Sequence, residues 1–204
     1  MGYGRGMSTM ETDDFIARVT GETERVVTRT VWSTPPGVLA RAISPGGLSM
    51  TDFLSAPGRR AEQRSVPYRH ILGPPASEEA IDAWQRHRPS HSLPTDLRTL
   101  LSRINGIHLW ANAETGRSYA GLAPIEEWDL ARVKMYGPAA DRGLLDDRYV
   151  AISYHQDGAS FVVLDTASGR TFLMDAAGPD ATSPVGSNAA ELLDWLWRTR
   201  IRPQ

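Results

Sequence analysis

Candidate nucleophiles are the first side chains to consider, because a reactive serine or cysteine would indicate covalent catalysis. The chain has no cysteine, which excludes a thiol nucleophile, a disulfide framework and a cysteine-based zinc site. A serine hydrolase holds its nucleophile on a sharp turn between two glycines, in the pattern Gly-x-Ser-x-Gly. Ser49 and Ser160 each follow a glycine by two residues, but neither has the second glycine. The sequence therefore predicts no serine nucleophile.

Metal, cofactor and phosphate sites have similarly little support. His87 and His91 are four residues apart, as two metal ligands on a helix would be, but Pro89 lies between them and interrupts that helix. The glycine-containing segment 44–49 lacks the lysine and the long glycine spacing of a phosphate-binding loop. We therefore predict neither a bound metal nor a cofactor.

Carboxylates are the remaining candidates for acid–base chemistry. Glu126-Glu127 and Asp146-Asp147 are adjacent pairs, and Asp157, Asp165 and Asp175 lie at the ends of predicted strands. Adjacent side chains on a helix or strand point apart, so adjacency alone does not let two carboxylates share a proton. We predict that the protein is not an enzyme. A hydrolase that uses carboxylates clustered in one cleft is the alternative.

Charge is unevenly distributed along the chain, although the net charge is only −2. Residues 111–197 contain 13 acidic and 6 basic residues, a net of −7, whereas residues 1–110 carry +2. An acidic region repels nucleic-acid phosphates and attracts a basic partner, so direct nucleic-acid binding is disfavoured. The simpler alternative is a solvated acidic face that keeps the protein in solution.

No segment of the sequence suggests a membrane location. There is no run of 18 apolar residues, which is about the minimum for a membrane-spanning helix. Residues 1–15 lack the apolar stretch of a signal peptide. We expect a cytoplasmic bacterial protein.

The elements that would position these side chains are sparse at the start of the chain, which is rich in proline and glycine. A helix is predicted over residues 13–19, with two acidic residues in its first turn. The valine- and threonine-rich segment 25–33 predicts a strand, and a small helix is predicted over 49–54.

Gly73-Pro74-Pro75 is the strongest boundary signal in the chain, because two prolines after a glycine interrupt any regular element. We therefore predict an N-terminal extension or subdomain of unknown type over residues 1–72. The second domain is predicted over residues 73–204.

Two helices are predicted directly after this boundary. Ser77 is the predicted N-cap of the first helix, which ends before Pro89. Pro94 fits the first position of the second helix, and Asn105-Gly106 ends it. Four apolar residues of this helix recur at the spacing of one buried face: Leu97, Leu100, Leu101 and Ile104.

The rest of the chain predicts strands followed by a helix. A short helix is expected over 125–132 and an exposed loop over 136–147. Short turns then join three strands of an antiparallel meander, at 149–154, 160–165 and 171–175. A loop over 178–186 leads to a final helix with Asn188 as its N-cap and Glu191 as the capping-box partner. This order predicts an α+β fold with a mostly antiparallel sheet packed with helices.

The second helix and its surroundings resemble the signature of the SUKH (SMI/KNR-like) superfamily. In that family a leucine–proline pair opens a helix that closes on asparagine–glycine, as Leu93-Pro94 and Asn105-Gly106 do here. The family's other elements occur in the same order, at segments 77–88, 122–128 (LAPIEEW), 161–165 (FVVLD) and 188–197. The resemblance covers roughly residues 77–197 and leaves about the first 70 residues unmatched.

This resemblance implies a SUKH-like α+β fold and, because many bacterial members are immunity proteins, a function. The expected function is to bind and neutralise a cognate secreted toxin of the polymorphic or contact-dependent kind by stoichiometric occlusion. Other members act as scaffolds or regulators. A regulatory scaffold that binds a housekeeping protein is therefore the alternative.

We predict that partner-binding residues lie in the loop 136–147 and in the turn near residue 157. Acidic side chains there would complement a toxin with a basic, nucleic-acid-directed active site, and aromatic side chains would anchor it. The predicted charged residues are Asp141, Asp146, Asp147 and Asp157, and the predicted anchors are Trp110, Tyr136 and Tyr154. For each residue the simpler alternative is an ordinary solvated acid or a core aromatic.

Overall fold

A computed structural model describes residues 9–33, 60–115, 118, 120–139, 141, 145–153, 160–175 and 178–200. The described chain is α+β and contains two antiparallel sheets, of four and five strands, packed with five α-helices. This architecture confirms the predicted fold class. The small helix predicted over 49–54 lies outside the described residues.

The first sheet is built from strands on both sides of the boundary predicted at residues 73–75. Helix α1 (Thr9–Gly21) leads into strand β1 (Arg25–Ser33), which pairs with β2 (Arg60–Leu72). Strands β3 (Ile107–Asn112) and β4 (Ala120–Leu122) complete the order β1-β2-β3-β4. The strand predicted over 25–33 is confirmed, and the helix predicted over 13–19 lies within α1.

Helices α2 (Glu78–His87) and α3 (Thr95–Leu101) follow the prediction closely. The Ser77 hydroxyl accepts a hydrogen bond from the amide of Ala80, as an N-cap should. Pro94 is the N-cap of α3 rather than its first residue, so that prediction is wrong by one position. The four residues of the predicted apolar face are all buried: Leu97, Leu100, Leu101 and Ile104.

The second sheet has the order β5-β6-β7-β8-β9 and contains the predicted meander. Its strands are β5 (Asp129–Leu130), β6 (Tyr149–Ala151), β7 (Ser160–Asp165), β8 (Arg170–Asp175) and β9 (Gly178–Gly186). The loop predicted over 178–186 is wrong, because this segment pairs with β8 as an edge strand. Proline is tolerated on an edge strand, where it need not donate to a neighbour.

The helix predicted over 125–132 is also wrong. A 3₁₀ helix (Ile125–Glu127) is followed by β5 and then by helix α4 (Ala131–Tyr136). Side-chain hydrogen bonds accompany this interruption: the indole of Trp128 donates to the carbonyl of Ala123, five residues earlier, at 2.7 Å. The carbonyl of Trp128 in turn accepts from Arg88 at 3.0 Å.

The core lies between the sheets and the helices, and a smaller apolar cluster covers the other face of the second sheet. Val162 and Leu164 on β7 belong to the main core, whereas Val163 belongs to the smaller cluster. Both faces of this strand are therefore buried. Helix α5 (Ala189–Thr199) closes the main core with Leu192 and Leu196.

The capping of α5 differs slightly from the predicted capping box. The side chain of Asn188 accepts from the amide of Glu191 at 2.9 Å, as predicted. The carboxylate of Glu191 accepts from the amide and hydroxyl of Ser187, one residue before the N-cap, at 2.8 and 2.9 Å. These hydrogen bonds lower the pKa of Glu191.

Gly73, which marks the predicted boundary, lies at a close contact between chain segments. Its amide donates to the carbonyl of Gly106 at 2.8 Å, and a Cβ on Gly73 would lie 2.1 Å from the carbonyl oxygen of Asn105. Directly before Gly73, β2 pairs with β3 through residues of the segment Tyr68–Leu72. Helix α1 also contributes Phe15 and Val19 to the main core.

These contacts predict that residues 73–204 do not fold cooperatively on their own. Removing residues 1–72 strips a hydrogen-bonded strand from β3 and exposes core residues that pack against α1. We expect the fragment to show a broad, non-cooperative thermal transition and poor dispersion of its amide NMR signals, beside a sharp transition for the full chain. A sharp transition for the fragment would instead establish 73–204 as an independent domain.

Candidate protein-binding surface

The segment of residues 145–148, here called the acidic turn, connects the region after α4 to β6. Leu145 is buried in the smaller apolar cluster and fixes one end of the turn. The carbonyl of Arg148 accepts from the amide and the hydroxyl of Thr166, at 3.0 and 2.9 Å, and fixes the other end. The last part of the loop predicted over 136–147 is therefore held in one conformation.

The two acids of the turn have different surroundings. The Asp147 carboxylate accepts from Nε of Arg132 at 3.0 Å, and Arg132 is only 6 % exposed. The Asp147 carbonyl also lies 2.6 Å from Nε2 of His91. The Asp146 carboxylate accepts from the amide of Arg148 at 2.9 Å, and its side chain is 61 % exposed. Asp147 therefore holds the turn, and Asp146 is the acid presented to solvent.

Arg148 organises the carboxylates next to the turn. Its guanidinium lies 3.8 Å from Asp146 and 3.6 Å from Asp165, and it donates to the hydroxyl of Tyr149 at 2.6 Å. Asp165 is buried and also accepts from the amide of Ala167 and the hydroxyl of Ser168. Asp165 is thus a structural residue at the end of β7.

Arginines from distant parts of the chain pair with two of the acids that the sequence places in 111–197. Asp129 pairs with Arg88 at 3.0 Å, and Glu114 pairs with Arg64 at 3.2 Å. Both arginines belong to the first half of the sequence. The segment count alone therefore overstates the negative charge of residues 111–197 in the fold, in which Asp141 and Asp146 are exposed acids.

The structure brings only some of the predicted partner-binding residues together. Asp146 and Asp147 lie in the acidic turn, and Tyr136 is half-buried at the end of α4. Trp110 lies on β3 in the other sheet and is 4 % exposed, packed with the apolar residues Val27, Val66 and Tyr68. Asp157 and Tyr154 lie outside the described residues. The partner-binding role of these residues stays a prediction.

A second polar cluster, which sequence reasoning missed, joins both ends of the chain to the first sheet. The Glu22 carboxylate lies 2.7 Å from Nε2 of His70 on β2 and accepts from Arg200 at 2.8 Å. The backbone amide of Trp110 donates to Nδ1 of His70 at 3.0 Å. His70 and Arg200 lie 48 and 178 residues after Glu22 in the sequence, so no local pattern could link them to it.

The Glu22–His70 pair cannot work as a catalytic dyad in this arrangement. Because the Trp110 amide donates to Nδ1, that nitrogen is unprotonated and the proton of the ring sits on Nε2, facing Glu22. Neither ring nitrogen remains to take a proton from a substrate, and the side chain of His70 is 2 % exposed. The pair instead links the end of α1 to strand β2 of the first sheet.

Trp110 adopts a backbone conformation that side chains rarely occupy, with φ of +53°. It is the one non-glycine residue with positive φ in the described chain. The hydrogen bond of its amide to His70 and the ring contact with His70, at 4.4 Å between centroids, hold it there. The strain is therefore maintained by the same cluster.

Among the described residues, no group of three or more histidine or carboxylate side chains could hold a metal ion. His87 contacts the carbonyl of Ala83, while His91 contacts Asp147, so the two rings have different partners. None of the described helices is long and apolar enough to cross a membrane. Two described carboxyl groups have a shifted pKa, Glu22 and Glu191. Both pKa values are lowered, which disfavours a general-acid role for these groups.

Comparisons of the chain with models of known protein families and with functionally characterised proteins find no match.

The different surroundings of the two acids in the turn predict different costs of neutralisation. Asp147→Asn removes the negative charge that pairs with the buried guanidinium of Arg132, so we expect a loss of about 1–2 kcal/mol of unfolding free energy. Asp146→Asn keeps an oxygen that can accept from the Arg148 amide, so the expected loss is below about 0.5 kcal/mol. Urea denaturation of the two variants measures both values. Equal losses would contradict the assignment of Asp147, rather than Asp146, as the residue that fixes the turn through Arg132.

The polar cluster predicts a loss of stability in acid that depends on Glu22. Burial raises the pKa of Glu22, but hydrogen bonds from Arg200 and His70 outweigh it and lower the pKa below the ordinary 4.5. The stabilisation is therefore complete above pH 4.5 and is lost as the pH falls through the lowered value. Glu22→Gln should remove this part of the pH dependence and, near pH 7, cost about 2–3 kcal/mol, because Arg200 is only 10 % exposed.

The matched control for this prediction is Asp194→Asn, which breaks an exposed ion pair with Arg198. This change should cost only about 0.3–0.5 kcal/mol. Denaturant titrations of both variants between pH 3 and pH 7 make the comparison. An unchanged acid limb of the stability profile in Glu22→Gln would exclude Glu22 as its source.

Proposed function

We propose that this protein acts by stoichiometric binding and neutralises a cognate secreted bacterial toxin, with the acidic turn as part of its contact surface. The observation that carries the proposal is the turn itself, an exposed carboxylate on a segment fixed from both sides by buried groups. A binding surface that is already ordered loses little conformational entropy on association. Such order favours a tight complex.

The surroundings of the turn support a basic partner. Asp146 and Asp141 are exposed acids, and the carbonyl of Asp147 in the turn lies 2.6 Å from Nε2 of His91. Negative charge at the rim of an interface accelerates encounter with a positively charged protein more than it adds final affinity. A toxin that acts on nucleic acids needs a basic cleft, which such a surface would occlude.

Catalysis has weaker support in the described chain than binding. The buried histidine has both ring nitrogens occupied, and the carboxylates with clear pKa shifts are shifted toward the ionised form. A carboxylate-based hydrolase would need a protonated acid at neutral pH. A hydrolase therefore has less support as the function of this protein than stoichiometric binding does.

Co-expression tests the proposal directly. The chain is produced together with each protein encoded beside it in its genome, and growth is compared with growth when each neighbour is produced alone. We expect one neighbour to be toxic alone and harmless in the presence of this chain, and to form a 1:1 complex of nanomolar affinity by calorimetry. A stable complex with a protein that is not toxic would support the regulatory scaffold instead.

The contact surface is tested by charge reversal at the two exposed acids. Asp141→Arg combined with Asp146→Arg should slow association with the partner by about tenfold at low salt and change dissociation little. Asp147 is left intact, because it holds the turn through Arg132. Stopped-flow association at several salt concentrations measures the effect.

The matched control reverses an exposed acid elsewhere. Glu79 is exposed in the first turn of α2, about 12 Å along the helix from its last residue, His87. Glu79→Arg should leave the association rate within about twofold of the unmodified protein. If the double reversal behaves like this control, the acidic turn is not part of the interface.

A further inference from the structure

Strand β3 contains a β-bulge where it pairs with β2. The ladder partners on the two sides of the bulge are Arg69 opposite Ala111 and Ile71 opposite His108. Between them the register shifts, so one residue of β2, His70, faces two residues of β3, Leu109 and Trp110. A bulge of this kind leaves the extra residue out of the regular ladder of backbone hydrogen bonds.

A side chain satisfies the backbone amide of Trp110 across this bulge. The amide donates to Nδ1 of His70 at 3.0 Å, and the two rings are in contact. Trp110 has φ of +53°, a conformation that glycine usually takes in a bulge because it has no Cβ. The strained conformation of Trp110 therefore depends on His70.

The hydrogen bond between these residues requires a neutral imidazole. Nδ1 of His70 can accept from the Trp110 amide only while it carries no proton. A second proton on the ring would place an N–H group on each side of this contact and remove the acceptor. Histidine is the side chain that in ordinary surroundings changes its charge between about pH 5 and pH 8.

The other nitrogen of the ring responds to a second proton in the opposite way. Nε2 of His70 lies 2.7 Å from the carboxylate of Glu22 at the end of α1, and a positive ring strengthens this contact. From α5, Arg200 donates to the same carboxylate at 2.8 Å, and the ring of Trp197 lies 6.0 Å from His70. A second proton thus breaks the contact with β3 and keeps the contact with α1.

A cavity of about 400 Å³ lies beside the bulge. It is lined by residues 21–25, which connect α1 to β1, and by Trp110 from β3. The charged residues Glu24 and Arg25 of this lining are exposed, whereas Trp110 is 4 % exposed. A change in the conformation of Trp110 therefore changes the shape of the cavity.

We propose that His70 is a proton-sensitive switch that holds Trp110 as a wall of this cavity. The neutral ring keeps the Trp110 amide bound and the cavity in its present shape. The doubly protonated ring releases the amide, so Trp110 leaves its left-handed conformation and the cavity opens, while α1 stays attached through Glu22. The switch lies in the first sheet and does not depend on the function proposed for the acidic turn.

NMR of the ¹⁵N-labelled full-length protein tests the switch, with the pH lowered from about 8 to the point of unfolding. The imidazole nitrogens report the protons on His70, and the backbone amide of Trp110 reports its hydrogen bond. We expect Nδ1 to gain a proton while the chain is still folded, and the Trp110 amide signal to shift with the same midpoint. If His70 stays neutral until the chain unfolds, or gains the proton with no change at Trp110, the proposal is wrong.

The indole N–H groups of Trp84 and Trp110 form a matched internal pair that reports the opening. Both nitrogens are buried, and neither has a hydrogen-bond partner in the described chain. Trp84 belongs to the main core, whereas Trp110 belongs to the small cluster on the first sheet. As His70 gains its proton, hydrogen exchange of the Trp110 indole should accelerate by at least about tenfold relative to that of Trp84. Equal acceleration of both would indicate loosening of the whole molecule and would overturn the switch.

His70→Asn and His87→Asn form a matched pair of variants. Asparagine places a side-chain oxygen near the position of Nδ1 and does not titrate, so Trp110 keeps an acceptor in acid. We expect the pH-dependent changes at Trp110 to disappear in His70→Asn. His87 is exposed on α2 and contacts the carbonyl of Ala83, so His87→Asn should leave those changes as they are. Persistence of the changes in His70→Asn would exclude His70 as their source, and the titration of the unmodified protein decides the question if this variant does not fold.

Glu22→Gln tests the sign of the electrostatic effect. The Glu22 carboxylate favours the positive ring of His70, so its neutralisation should move the change at Trp110 to lower pH. Asp194→Asn makes the same change of net charge at an exposed ion pair with Arg198 and should leave the midpoint unchanged. A shift to higher pH in Glu22→Gln, or equal shifts in both variants, would exclude His70 as the responding group and with it the switch.

Discussion

The carboxylate of Glu22 is the contact on which the arrangement of this molecule depends. It receives a hydrogen bond from Arg200 at the end of the last helix and faces His70 on β2, one of the two inner strands of the first sheet. Because His70 is bound in turn by the amide of Trp110, one acidic group joins the end of α1, two strands and the end of α5. Buried polar groups connected in this way stabilise one arrangement and penalise others, since each lost partner leaves a buried group unsatisfied.

Arginine is the residue that the fold uses to organise its acids. Arg132 is almost fully buried and holds Asp147, while Arg148 lies between Asp146 and Asp165. The planar guanidinium can serve several oxygens at once, which a lysine ammonium does less specifically. The chain contains one lysine among its 22 basic residues, so most of its cations can act in this way. Net charge counted along the sequence is therefore a poor guide to surface charge here.

The two sheets present surfaces of opposite character. The second sheet carries the acidic turn, with Asp146 exposed on an anchored segment, whereas strands β1 and β2 of the first sheet contain five arginines and one acidic residue. Surfaces of opposite sign on one small protein allow two different partners, or two parts of one partner, to be bound at once.

The sequence alone determined the elements whose signals are local. The α+β class, the strand at Arg25–Ser33, the N-cap at Ser77 and the buried face of α3 all follow from spacing, capping and propensity within a few residues. Only the tertiary structure decided that 178–186 is a strand, because its pairing with β8 compensates for its glycine and proline content. A tertiary hydrogen bond, from Arg88 to the carbonyl of Trp128, likewise lies where the predicted helix is interrupted.

The same distinction applies to the candidate sites. Adjacent acids such as Asp146 and Asp147 can be found in the sequence, but only packing decided that one is exposed and the other holds a buried arginine. The Glu22–His70–Arg200 cluster joins residues up to 178 positions apart, so no pattern along the chain contains it. Local propensity acts through neighbouring residues, whereas burial and ion pairing depend on which distant segments the fold brings together.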